Sequence, residues 1–183
     1  AADLPRLTPD EAVSVLADVP LLTTEVDDTL RTLHPTLGAF PPQWQSPAQQ
    51  KARLDTLITL LNYLDDYASA NPSHTAQADY TARAAQAYVF ASHAGIADAH
   101  EKATELLHQW HRLEPSSAQA HFIAGEYWMK HPDTRQEALQ SLLHAQTLGH
   151  PKAGYLIAIL WVGQNQPNKG IQTLRQHLKK HPE

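Results

Sequence analysis

A chain of 183 residues with 42% apolar content is long enough to bury a continuous core, which excludes disorder throughout. Its 19 acidic residues outnumber the 14 basic ones, for a formal charge of -5, and no broad cationic surface is left for a phosphate backbone, so nucleic acid is a poor partner. No apolar run approaches the roughly 20 residues that span a bilayer, and the absence of cysteine removes disulfides, thiolate zinc sites and cysteine nucleophiles together. The small Ala1-Ala2-Asp3 start suits the remnant of a cleaved leader, which tilts the expectation toward a soluble periplasmic protein over a cytoplasmic one.

No window alternates with period two, and prolines and glycines fall mostly between apolar stretches of helical period, so the sequence predicts helices only. The first starts at Thr8-Pro9-Asp10-Glu11, with Thr8 as cap and Glu11 completing a capping box, and is expected to reach Asp18. The second covers Thr24 to Leu33, with Val26, Leu30 and Leu33 on one face. His34 to Ser46, containing Phe40, Pro41, Pro42 and Trp44, reads as an irregular connector that packs across a helix surface. Ser46-Pro47 then opens a long helix in which Leu54, Leu57, Ile58, Leu61, Leu64 and Tyr67 recur at helical spacing, until Asn71-Pro72-Ser73 stops it.

From about residue 76 the predicted helices come in pairs with a fixed period. Ala91, Gly125 and Ala158 are small residues spaced by 34 and 33. Three positions before each stand Tyr88, Phe122 and Tyr155; three positions after stand Ala94, Trp128 and Trp161. In the second helix of each pair Ala103, Ala138 and Gly170 hold a small-residue site, followed four residues later by Leu107, Leu142 and Leu174, once the middle pair is shifted by one residue. Pro115, Pro151 and Pro182 close the pairs. Over residues 84 to 182 the chain resembles tetratricopeptide repeats, whose period is about 34 residues, with the Sel1-like repeat as a near relative.

The resemblance implies an all-α fold: antiparallel helical hairpins stacked as a right-handed superhelix, three of them over residues 76 to 183. Residues 1 to 75 would be a capping or divergent helical region. A single repeat cannot bury its apolar face, so Ala91, Gly125, Ala158, Ala103, Leu107, Leu142 and Leu174 are expected in the core. By the same resemblance the first helix of each pair lines a concave groove. Its partner-binding positions here are Tyr88 and Ser92, then Gln119, Phe122, Glu126 and Met129, then Lys152, Tyr155, Ile159 and Val162.

That mixture of aromatic, apolar and charged side chains suits recognition of a peptide, a helix or a partner subunit. The same aromatics also suit packing between repeats. An array with exposed ends is suited to homodimerise by stacking. A different reading is a small bacterial inhibitor or immunity-type protein that occludes a toxin or enzyme, with the N-terminal half as its specific surface and negative charge speeding capture of a basic target.

Enzyme signatures are absent from the sequence: it has no glycine-rich phosphate loop, nucleophile elbow or metalloprotease helix, and it implies no cofactor. Asp27-Asp28 and Asp65-Asp66 are neighbours on a helix, about 100° apart, and read as solvated faces rather than acid-base couples. The twelve histidines include the close pairs His108/His111 and His177/His181, too few converging ligands for a closed zinc site. His131, His150 and His181, each followed by proline, read as helix ends where a protonated imidazole meets the negative end of the dipole.

Overall fold

In the computed structural model, which describes residues 4–182, every regular element is helical. The Ala1-Ala2-Asp3 start, on which the leader expectation rests, lies outside the described residues. These residues form two compact units, divided between Leu113 and Glu114. Among them no helix is long and apolar enough to cross a membrane.

The first unit opens with α1 (Pro9–Leu16). The Glu11 carboxylate accepts from the Thr8 backbone N–H at 3.1 Å and the Thr8 hydroxyl at 2.6 Å, which holds its pKa below the ordinary carboxylate value. The helix ends at Leu16, short of the expected Asp18, because Asp18 turns into the left-handed region at φ 60°. Asn71 takes over there. Its buried side chain donates to the Leu16 and Tyr67 carbonyls at 2.7 and 3.1 Å and accepts from the Asp18 N–H at 2.9 Å. One amide thus ties the end of α1 to the end of α3 (Pro47–Ala70).

Helix α2 (Thr23–Leu37) runs past the expected stop at Leu33 and through Pro35. A proline so near the C-terminus removes only the donor to the Arg31 carbonyl. Burial of Thr36 and Leu37 favours continuing the helix, and His93 Nδ1 donates to the Leu37 carbonyl at 2.7 Å. The connector therefore begins at Gly38, with a cis Phe40-Pro41 bond and the Phe40 ring 5.5 Å from that of His93.

In α3, begun by Ser46 Oγ accepting from the Gln49 N–H at 3.1 Å, the buried face is wider than the sequence pattern. Leu60 and Tyr63 join Leu57, Leu61, Leu64 and Tyr67, whereas Leu54 is half-buried and Ile58 is 48% exposed. The helix packs against α1, α2 and α4 (Ala78–His93) at once, so one stripe does not suffice and Ile58 falls on the side left open. A short 3-10 turn, Pro72–Ala76, leads into α4, which pairs with α5 (Ala99–Leu113).

The second unit holds two further pairs, α6 (Ala118–Trp128) with α7 (Arg135–Thr147) and α8 (Ala153–Gly163) with α9 (Pro167–Lys180). Their contacts are made by the small residues that carry the period. A Cβ at Gly125 would fall 2.5 Å from Leu142 Cγ and 3.1 Å from the Ala138 carbonyl oxygen; one at Gly170 would fall 2.8 Å from Val162 Cγ2 and 3.0 Å from the Ala158 carbonyl oxygen. The extra residue of the middle pair is absorbed by a 3-10 turn, Pro132–Thr134, before α7. Ala91, Ala103, Leu107, Gly125, Leu142 and Ala158 are buried as expected, and Leu174 is half-buried. Helices α4, α7 and α8 end alike on a left-handed residue, Gly95, Gly149 and Asn165, each donating to the carbonyl three residues back.

Replacing Gly125 by Ala is expected to cost about 1–3 kcal/mol, because the methyl must push Leu142 out of its rotamer. At Gly163, in the last turn of α8 with nothing within 4 Å, the same change should stabilise by about 0.5–1 kcal/mol. Equilibrium denaturation of the two variants against wild type measures both, and equal effects at the two sites would refute the close-approach argument.

Candidate partner-binding surfaces

The groove residues inferred from the repeat pattern fall into two groups. Tyr88 lies in the first unit. It is half-buried on α4 and its hydroxyl donates to both carboxylate oxygens of Asp65 on α3, at 2.8 and 2.9 Å. Burial raises its pKa, and the Asp65 charge raises it further. It lines a cleft of about 680 Å³ between α3 and the α4–α5 pair.

Ser92, half-buried, is also on α4; the other eight residues lie in the second unit, where the structure separates covered from open positions. Phe122 is only 8% exposed, and the ring of His150 stacks on it at 3.8 Å between centroids and 12° between planes. His150 Nε2 also sits 3.2 Å from Gln119 Oε1, where the neutral imidazole donates to the amide oxygen. Glu126 and Met129 are half-buried on α6 and at its C-cap. The Glu126 charge opposes a burial that lowers the pKa of the neighbouring Lys130 ammonium. Lys152 is exposed at the N-cap of α8.

On α8 the arrangement is open. Tyr155 is 54% exposed, Ile159 42% and Val162 54%. At spacings i, i+4 and i+7 they share one helix face, with Val162 Cγ2 also against Gly170, while Ile157 and Leu160 turn the other way into the core. Trp161 is half-buried with Lys169 Nζ 4.6 Å from its ring centroid.

Several sequence expectations change. His150 is not a charged helix cap: burial, then the Lys152 charge, lowers its pKa and favours the neutral ring. Its role as the lid of Phe122 has no signature in the sequence beyond its place just ahead of α8. Asp27 and Asp65 are not merely solvated: Asp27 receives the Arg83 guanidinium through Nε and Nη2 at 2.9 and 2.8 Å, with Arg83 on α4 and Asp27 on α2, and Asp65 holds Tyr88. Asp28 does face solvent, paired with Arg31. Among the described residues no three or more histidine, aspartate or glutamate side chains converge for a metal. Comparison with family models, with curated proteins and with solved structures finds no match.

Phe122→Ala should destabilise the protein by about 3 kcal/mol, whereas Tyr155→Ala, in the same column of the period, should stay within about 1 kcal/mol; thermal melts compare them. The His150 shift sets a pH dependence. A histidine whose folded pKa is depressed contributes stability above its unfolded value near 6.5, and this is lost as pH falls below it. Wild type should therefore lose more melting temperature between pH 7 and pH 5 than His150→Phe, which keeps an aromatic ring over Phe122 without the titration.

Proposed function

We propose that this protein is a tetratricopeptide-like helical-repeat scaffold that binds another protein through the first helices of its pairs, without a cofactor. The reading rests on one observation above all, the exposed apolar stripe of Tyr155, Ile159 and Val162 on α8. Exposed aromatic and aliphatic side chains at i, i+4 and i+7 of one helix suit a surface that takes a peptide or a helix. The half-exposed tyrosine adds a rigid aromatic anchor with a hydroxyl that remains wet, and Lys152, one turn ahead, supplies a charge at the rim that fixes orientation.

The close helix pairs support the same reading. At Gly125 and Gly170 a small residue lets the two helices of a pair close on each other at the spacing a helical-repeat array uses. Buried Phe122 belongs to the support of this surface and exposed Tyr155 to the surface itself.

The test follows from that division. Tagged wild type and the Tyr155→Ala/Ile159→Ala double variant are used side by side for affinity capture from native lysate, with melting curves as a folding control. A protein held by wild type should bind the variant at least about tenfold more weakly when purified. Equal binding by a normally folded variant would remove α8 as the docking surface.

A further inference from the structure

The cleft in the first unit has an apolar floor and an acidic rim. Ile58 and Leu61 of α3 meet Ile96 of the 94–98 turn at its base. Asp98, Glu101 and Glu105 line the cleft together with one cation, Lys102, so the lining stays net acidic, and Glu101 and Glu105 are exposed one helical turn apart on α5. Among the described residues no ion pair neutralises any of the three. Ile58, 48% exposed, is an aliphatic side chain left to water in the middle of a helix that otherwise packs on three neighbours. A cleft of about 680 Å³ is of the size that proteins use to seat side chains of a ligand.

The complementary surface is present in the same chain. Helix α9 contains Lys169, Arg175, Lys179 and Lys180 and no acidic residue. Only Gly170 of this helix is buried. Ile171 and Leu178 are 47% and 61% exposed, and with Arg175 and Lys179 they stand at i, i+4, i+7 and i+8, one continuous side. Arg175 and Lys179 are thus as far apart along α9 as Glu101 and Glu105 are along α5, about 6 Å. Two aliphatic side chains flanked by two cations match an aliphatic floor flanked by two anions.

We infer that the cleft between α3 and the α4–α5 pair receives the exposed Ile171/Arg175/Leu178/Lys179 face of α9 from a second copy of this chain. Ile171 and Leu178 settle on Ile58 and Ile96, and Arg175 and Lys179 pair with Glu101 and Glu105. The two surfaces are different, so the contact is heterologous: each copy offers a cleft at one place and a helix at another, and association continues into longer chains or closes into a ring. Burial of the aliphatic pair supplies affinity, and the charges set register and make assembly salt-sensitive.

Sedimentation velocity of the full chain, with circular dichroism as a folding control, tests this. At low salt and up to about 100 µM, wild type should form species beyond the dimer that dissociate as salt is raised. Glu101→Lys/Glu105→Lys, with a closed cleft, and Arg175→Glu/Lys179→Glu, with a closed helix, should each be monomeric. Mixed together, the cationic cleft of one variant meets the anionic helix of the other and the native cleft meets the native helix, so association beyond the monomer should return. A second pair without charge reversal, Ile58→Ser and Leu178→Ser, should each weaken association about tenfold or more. Wild type that stays monomeric, either charge variant associating like wild type, serine variants that associate unchanged, or mixed charge variants that fail to pair would overturn the inference.

Discussion

The arrangement of the paired helices depends on how closely their axes are allowed to approach. At Gly125 there is no room for a methyl group against Leu142, and at Gly170 none against Val162 and the Ala158 carbonyl. Close approach lets the backbone of one helix form a wall against which the leucine of its partner packs, and Leu142 is wholly buried. It also fixes which face of each helix is turned away. Val162 stands at the edge of the contact between Ala158 and Gly170, with its Cγ2 against Gly170, while Tyr155 and Ile159 stay on the exposed side of α8.

The first unit solves its packing differently. Helix α4 buries small alanines together with Tyr80, Val89 and Phe90 and lies against α2, α3 and α5, and polar ties add to that packing. Arg83 grips Asp27 with two parallel bonds and Tyr88 caps Asp65, so α4 is pinned to one neighbour through each carboxylate. Asn71 adds three bonds at the ends of α1 and α3, and leaving such a buried amide half-satisfied would cost more than the bonds themselves return.

How much of this was legible in the sequence follows from the range of the interactions concerned. Capping at Thr8 and Ser46, the stop at Asn71-Pro72 and the small-residue period are local or periodic, and each is found where residue order places it. The run of α2 through Pro35 was not legible, because a proline reads as a stop while the burial of Leu37 and the bond from His93, more than fifty residues on, are set by tertiary structure. The same holds on α3, where a single-stripe pattern included Ile58 and omitted Leu60 and Tyr63. A helix with several neighbours buries more than one stripe, and the sequence of the helix alone does not say on which sides those neighbours lie. Asp27 and Asp65 looked like ordinary surface carboxylates for the same reason: Arg83 and Tyr88 are remote in sequence.

The aromatic column shows how one position in a period comes to do two jobs. Phe122 and Tyr155 occupy equivalent places, each three residues ahead of a buried small residue, yet one is covered and the other open. The difference is made by the residue that leads into the following helix pair: His150, just before α8, lays its ring on Phe122. No later pair exists among the described residues to lay a ring on Tyr155. An aromatic of this column is therefore covered or open according to the residue that packs on it, and its own helix carries no mark of which. The substitution pattern is consistent with that division, since the covered site holds the fully apolar Phe while the open one holds Tyr, whose hydroxyl keeps its hydration when the ring is half in water. The proposed docking face thus leaves open for Tyr155 the side that His150 closes for Phe122.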